Sequence, residues 1–262
     1  MEVFRITAPR AKEVPVIVSS PHSGIRFPDS ISIKAEFAGN PDDTDWFIDQ
    51  LYDFVPDMGA TLISAVYNRW VIDLNRDPAN KPLYSDGRVI TGLVPLTTFN
   101  GAALYDLNPG EKEIQIRIDQ YFRPYHDKLS ELISEKVKKF GKVILFDAHS
   151  IRKNVPGIRP EPFPDLILGD DEGRSASDSV ITAAMKALTD SPFQVAHNEP
   201  FKGGYITRNY GDPEKNIHAL QLEMAKLNYL DDSERLYDHA RAGQIRKVLE
   251  NLFTNLIHEV SI

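Results

Sequence analysis

Short, unbroken apolar runs separated by long helical patterns constrain this chain more than any other feature. The run at 143–146 has no polar position, and the run at 14–20 turns polar only at its end, so strands made from them must be covered on both faces. Further strands are predicted at 61–66, 71–74, 165–168, 194–196 and 219–223. Helices are predicted at 45–54, 111–140, 175–188 and 233–260. In the second of these, Ile114, Ile118, Tyr121, Tyr125, Leu129, Leu132 and Ile133 track one side at helical spacing. Pro124 should kink or split it, since proline removes a donor and clashes with the preceding turn. Leu249, Leu252, Phe253 and Leu256 give the last helix an apolar stripe suited to the core. The alternation predicts an α/β fold with a mixed, mainly parallel sheet flanked by helices on both faces. No repeat or flexible linker interrupts it, so residues 1–262 are expected to form a single domain. Proline-rich stretches at 76–83 and 156–164 read as surface loops, where binding groups are often carried.

Composition excludes several classes of function. The net charge is −8, and the densest basic cluster, Lys136, Lys138 and Lys139, falls within a helical pattern and reads as a solvated face. No nucleic-acid partner is expected. No apolar stretch has membrane-spanning length, so no membrane partner is expected either. The N-terminus lacks the layout of a secretory signal, and cysteine is absent, which points to a cytoplasmic protein and leaves any metal to nitrogen and oxygen ligands. Nothing in the pattern specifies an oligomeric state.

Two of the seven histidines occupy matched positions at the ends of apolar runs. His22 follows the run that begins at Val14, and His149 follows the one that begins at Val143. The carboxyl ends of strands in an open α/β sheet are where sites are built. Imidazoles delivered there from two strands suit a shared zinc ion or another divalent transition metal. His126, His197, His218, His239 and His258 have no comparable setting and read as surface or ordinary core residues. The Asp42-Asp43-Thr44-Asp45 cluster opens the first predicted helix; Asp43 is assigned to capping or orienting and Asp45 to the metal, although the pattern itself does not separate the two. In the strand at 219–223, Glu223 lies on the face opposite Leu220 and Leu222. A lone carboxylate inside a covered sheet is costly, but beside a metal it becomes a general base. Asn75 and Arg76 end one run, and Thr207 and Arg208 lie in a glycine-flanked loop. A guanidinium grips a carboxylate through two parallel hydrogen bonds, so these residues are assigned to substrate, with Arg69 and Arg152 as further candidates. No phosphate-binding or dinucleotide-binding motif is present.

With these residues in view, the sequence resembles the N-formylglutamate amidohydrolase family. The resemblance is carried by Ser20-Pro-His-Ser-Gly24, Asp43-Thr-Asp-Trp46 with Leu51-Tyr52, Val71-Ile-Asp-Leu-Asn-Arg-Asp-Pro78, Phe146-Asp-Ala-His-Ser150, Asp165-Leu-Ile-Leu-Gly169, Gly204-Tyr-Ile-Thr-Arg208 and Gln221-Leu-Glu223. It implies a zinc-carboxypeptidase-like hydrolase with zinc on His22, an acidic residue of the 43–45 segment and His149. It further implies Glu223 as the catalytic carboxylate, assisted by Arg76, with Asn75, Arg76 and Arg208 holding the substrate. One departure stands out: the broader class often places an acidic ligand three residues after the first histidine, where this chain has Ile25. The expected activity is hydrolysis of N-formyl-L-glutamate to formate and L-glutamate in histidine degradation, with a small acidic N-acyl amino acid as the only partner. The alternatives are a related N-acyl amino acid deacylase or carboxypeptidase-like hydrolase, and a non-catalytic binder of acidic amino acids.

Overall fold

A computed structural model describes residues 2–39, 41–83 and 91–260. Seven strands form one sheet: β1 (Phe4–Thr7), β2 (Val16–Ser20), β3 (Thr61–Ala65), β4 (Val143–Ile151), β5 (Leu166–Gly169), β6 (Val195–His197) and β7 (Ile217–Ala225). Their order across the sheet is β1-β3-β2-β4-β7-β5-β6. The four central strands β3, β2, β4 and β7 run parallel, whereas β1 joins β3 and β5 joins β7 in antiparallel sense. The helices are α1 (Ala35–Ala38), α2 (Ile48–Leu51), α3 (Glu111–Arg117), α4 (Arg123–Phe140), α5 (Asp178–Thr189), α6 (Tyr205–Tyr210) and α7 (His239–Glu259).

The central strands are buried on both sides, as their continuous apolar runs require. Val16, Val18, Ile144, Phe146, Leu220 and Leu222 pack against α5 and α7, where Leu249, Leu252, Phe253 and Leu256 are fully buried. Alternate residues Ile17, Val143 and Leu145 pack on the other face against Tyr125, Leu129, Leu132 and Ile133 of α4. The mixed, mainly parallel sheet between helices is the α/β architecture expected from the sequence.

Several elements differ from the sequence reading. The run at 71–74 is buried but is not a strand. Its polar member bends it: Asp73 Oδ1 accepts the Asn75 amide at 2.9 Å, while the Asp73 amide donates to Leu93 O at 2.7 Å. The helix expected from residue 45 begins only at Ile48, because Phe47 takes a left-handed conformation with φ 59°. The helix expected over 111–140 is divided by a wider five-residue turn, Ile118–Phe122, and Pro124 falls in the first turn of the helix that follows. Residues 205–210, read as loop, form α6. β1 was not anticipated. Lys136 is not solvated: its ammonium is buried and donates to Glu13 Oε1 at 2.8 Å and Val14 O at 2.9 Å. The last helix starts at His239, capped by Asp238, whose carboxylate accepts from the amides of Ala240 and Arg241.

Candidate active site

Strand pairing assembles the site. On the α4 face of the sheet, Ser19 of β2 lies beside Asp147 of β4, Asp147 beside Gln221 of β7, and His149 directly opposite Glu223. Successive residues of a strand point to opposite faces, so this register places Asp147, His149, Gln221 and Glu223 on one surface. β4 runs past His149 to Ile151, so His149 sits within the strand rather than beyond it. His22 follows the end of β2 and holds the next loop by accepting the Asp45 amide at 3.1 Å.

The His22 and His149 rings lie 4.7 Å apart between centroids. Each has its Nε2 edge against a carboxylate: His22 to Asp73 Oδ1 at 2.7 Å, His149 to Asp147 Oδ2 at 2.8 Å. Both Nδ1 edges turn to Asp45 Oδ2, at 3.7 Å from His22 and 3.1 Å from His149. One ligand atom from each of His22, Asp45 and His149 can be chosen so that all lie within 4.8 Å of one another. His22 Nδ1 and Asp45 Oδ1 are buried with no hydrogen-bond partner. A cation among these atoms would complete both, and carboxylates behind imidazoles are the usual support for metal-binding histidines. Two nitrogens and an oxygen suit zinc and its neighbours, so the residues fit a divalent transition metal. Asp43 points elsewhere, accepting from Trp70 Nε1 and the Phe99 amide, each at 3.0 Å.

The charges around this cluster are unequal. Burial, reinforced by the nearby Arg69 guanidinium, pushes the His22 imidazole down to about 4. Burial also opposes a charge on His149, but Asp147 and Asp45 outweigh it and hold that ring well above its ordinary range. Burial pushes the Glu223 carboxyl up to about 8; His149 opposes the shift and Asp45 adds to it. Asp73 remains ionised despite burial because Arg69, Arg76 and His22 face it.

A pocket of about 380 Å³ opens over these groups, and His22, His149, Glu223, Arg69, Arg76 and Arg159 line it. Asn75 also lines it, but its side-chain amide is engaged by the protein. Its Nδ2 donates to Asp147 Oδ2 at 2.9 Å, and its Oδ1 accepts the Ile206 amide at 2.7 Å. Gly204 allows that packing, since a Cβ there would come within 2.3 Å of Asn75 Nδ2. Thr207 and Arg208, expected at the substrate, are not among the lining residues. Thr207 is fully buried, and Arg208 donates to Gly203 O and Leu83 O, both at 2.9 Å. Arg152 pairs with Asp42 and Glu234 and also lies off the lining. The sequence reading passed over Arg159; its position between Gly157 and Pro160, in the loop that follows His149, was the available signal.

The fold and site together describe an α/β protein with a buried His–Asp–His cluster and an adjacent glutamate at the carboxyl ends of central parallel strands. The model of the N-formylglutamate amidohydrolase family matches residues 14–230, and the chain belongs to that family. It is 40% identical over 250 residues to N-formylglutamate deformylase of Pseudomonas putida, covering 93% of this chain and 92% of that one. It is 38% identical over 249 residues to N-formylglutamate deformylase of Pseudomonas aeruginosa, covering 91% and 92%. The crystal structure of N-formylglutamate amidohydrolase from Ralstonia eutropha matches with a TM-score of 0.81 at 26% identity, over 100% of this chain and 98% of that one. No described helix is long and apolar enough to cross a membrane.

Proposed function

We infer that this chain is a metal-dependent amidohydrolase that cleaves N-formyl-L-glutamate to formate and L-glutamate. The observation that carries this reading is the meeting, in one pocket, of Glu223 with the two histidines of the His22–Asp45–His149 cluster in a member of this family. A divalent metal on those three residues, with zinc the first expectation, would supply Lewis acidity towards the formyl carbonyl and a water. Asp73 and Asp147 keep the two rings oriented for that role. Glu223 accepts the proton that water loses as it adds to the formyl carbon, and returns it to the amine nitrogen as the C–N bond breaks. Burial suits it to the return step by keeping its proton affinity high. Arg69 and Arg76, grouped around Asp73 beside His22, offer the α-carboxylate a cationic seat. Arg208 supports the pocket wall from behind. In this reading residues 1–262 act as one catalytic domain in the cytoplasm, in histidine degradation.

Formate release from N-formyl amino acids and acetate release from N-acetyl amino acids, with metal analysis of the same preparations, test the reading. Glu223→Gln should reduce turnover of N-formyl-L-glutamate by ~10²–10⁴-fold while metal content is unchanged. Near-normal turnover in that variant would remove Glu223 from the proton transfer. A parent protein that cleaves acetyl but not formyl substrates would make it a deacylase of another kind.

A further inference from the structure

Among the described residues three arginines line the pocket, Arg69, Arg76 and Arg159, and they are not equivalent. Arg69 Nη2 donates to Asp73 Oδ2 at 2.6 Å, and Arg76 Nη1 lies 3.8 Å from the same oxygen. Arg76 also donates to Thr91 O, Thr91 Oγ1 and Asn75 O. Arg159 stands outside this Asp73 group. Its contacts are Glu161, at 3.7 Å and too far for a hydrogen bond, and the face of Phe163, 5.5 Å from the ring centroid. Among the described residues its guanidinium makes no hydrogen bond, although the side chain is only 26% exposed. Its mount is firm. The Ile158 and Arg159 amides both donate to Val155 O, at 2.9 and 3.1 Å, and buried Phe163 stacks on Phe201. A Cβ at Gly157 would come within 2.1 Å of Phe99 O, so the loop approaches that backbone as closely as only glycine allows.

N-formylglutamate is a dianion with its carboxylates at different distances from the scissile bond. The α-carboxylate is attached to the carbon that bears the amide nitrogen and stays near His22 and the Asp73 group. The side-chain carboxylate lies further along the molecule and needs a second cation, more so because Glu161 and Glu199 line the same pocket. We propose that Arg159 reads the side-chain carboxylate of the substrate and so sets the preference for an acidic amino acid, displacing Glu161 as it does so. This rests on the amidohydrolase reading above. A guanidinium fork held in place with its donors uncommitted is the group that a carboxylate displaces at least cost.

The test compares kcat/KM for N-formyl-L-glutamate and its neutral analogue N-formyl-L-glutamine. Arg159→Met should lower the value for the glutamate substrate by ~10–100-fold, mainly through KM, and change the glutamine substrate by less than about threefold. Arg159→Lys should restore only part of the preference, because lysine lacks the fork. Glu161→Gln should lower KM for the glutamate substrate by freeing the guanidinium. Equal losses on both substrates, or no loss on either, would overturn the proposal. If Arg159→Met folds poorly, an unchanged or raised KM in Glu161→Gln overturns it instead. A parent protein inactive on N-formyl-L-glutamate overturns the functional reading and this one together, whereas an active parent whose preference survives Arg159→Met overturns this one alone.

Discussion

Two of the buried histidine environments in this fold, that of His126 and that of His22 with His149, differ in how completely their polar atoms are satisfied. His126 of α4 has both nitrogens engaged, Nε2 with Leu74 O at 2.8 Å and Nδ1 with the Tyr210 hydroxyl at 3.0 Å, and its ring stacks on Phe122. The His22–Asp45–His149 cluster is equally buried but leaves His22 Nδ1 and Asp45 Oδ1 without partners. An unsatisfied buried polar atom costs about 1–3 kcal/mol, so a fold tolerates a cluster of them chiefly where something else completes it. Burial is common to both environments; what separates a site from a structural brace is incompleteness.

The largest effect should come from deleting a donor on the incomplete side. His149→Ala should lose bound metal and reduce formate release by at least ~10²–10⁴-fold, whereas His126→Gln should retain the metal content of the parent. Loss of metal from the His126 variant, seen by elemental analysis, would break the comparison.

The satisfied histidine should instead appear in acid stability. Burial pushes the His126 ring down to about 4 from its ordinary value of 6.5. Between those values the unfolded chain binds a proton that the native protein does not, so stability is lost as pH falls from 6.5 towards 4. The contribution is about 3 kcal/mol. Denaturant unfolding between pH 4 and 7 should show this slope in the parent and a flatter one in His126→Gln.

Smaller effects sharpen the contrast. Asp147→Asn preserves shape but weakens the support behind His149, and metal affinity measured by chelator competition should fall by ~10–100-fold. Arg208→Lys should cost about 1 kcal/mol in unfolding experiments, since Arg208 ties Gly203 O to Leu83 O, and should change KM little. A large rise in KM would return Arg208 to the substrate.

The sequence revealed what depends on local pattern. The runs ahead of His22 and His149 are continuously apolar, so β2 and β4, and the delivery of both rings to one end of the sheet, could be read directly. Side chains whose role depends on remote partners could not be read this way. Lys136 looked solvated because Glu13 and the Val14 carbonyl, which bury it, are more than a hundred positions away. The bonds of Asn75 to Asp147 and Ile206 could not be foreseen, because those partners come from β4 and α6. The run at 71–74 satisfied an apolar criterion, but Asp73 within it made a turn rather than a strand. Asp45 could be separated from Asp43 only once Trp70 and Phe99 were seen to occupy the latter.

The nine-residue ladder between β4 and β7 sets His149 opposite Glu223. Sliding one strand by a single position would turn the glutamate away from the imidazole, because side chains alternate between faces. If Glu223 acts as proposed, strand alignment is itself a catalytic parameter. Substitutions among the apolar side chains of α5 and α7, which pack on the opposite face of those two strands, should then lower turnover without touching the pocket.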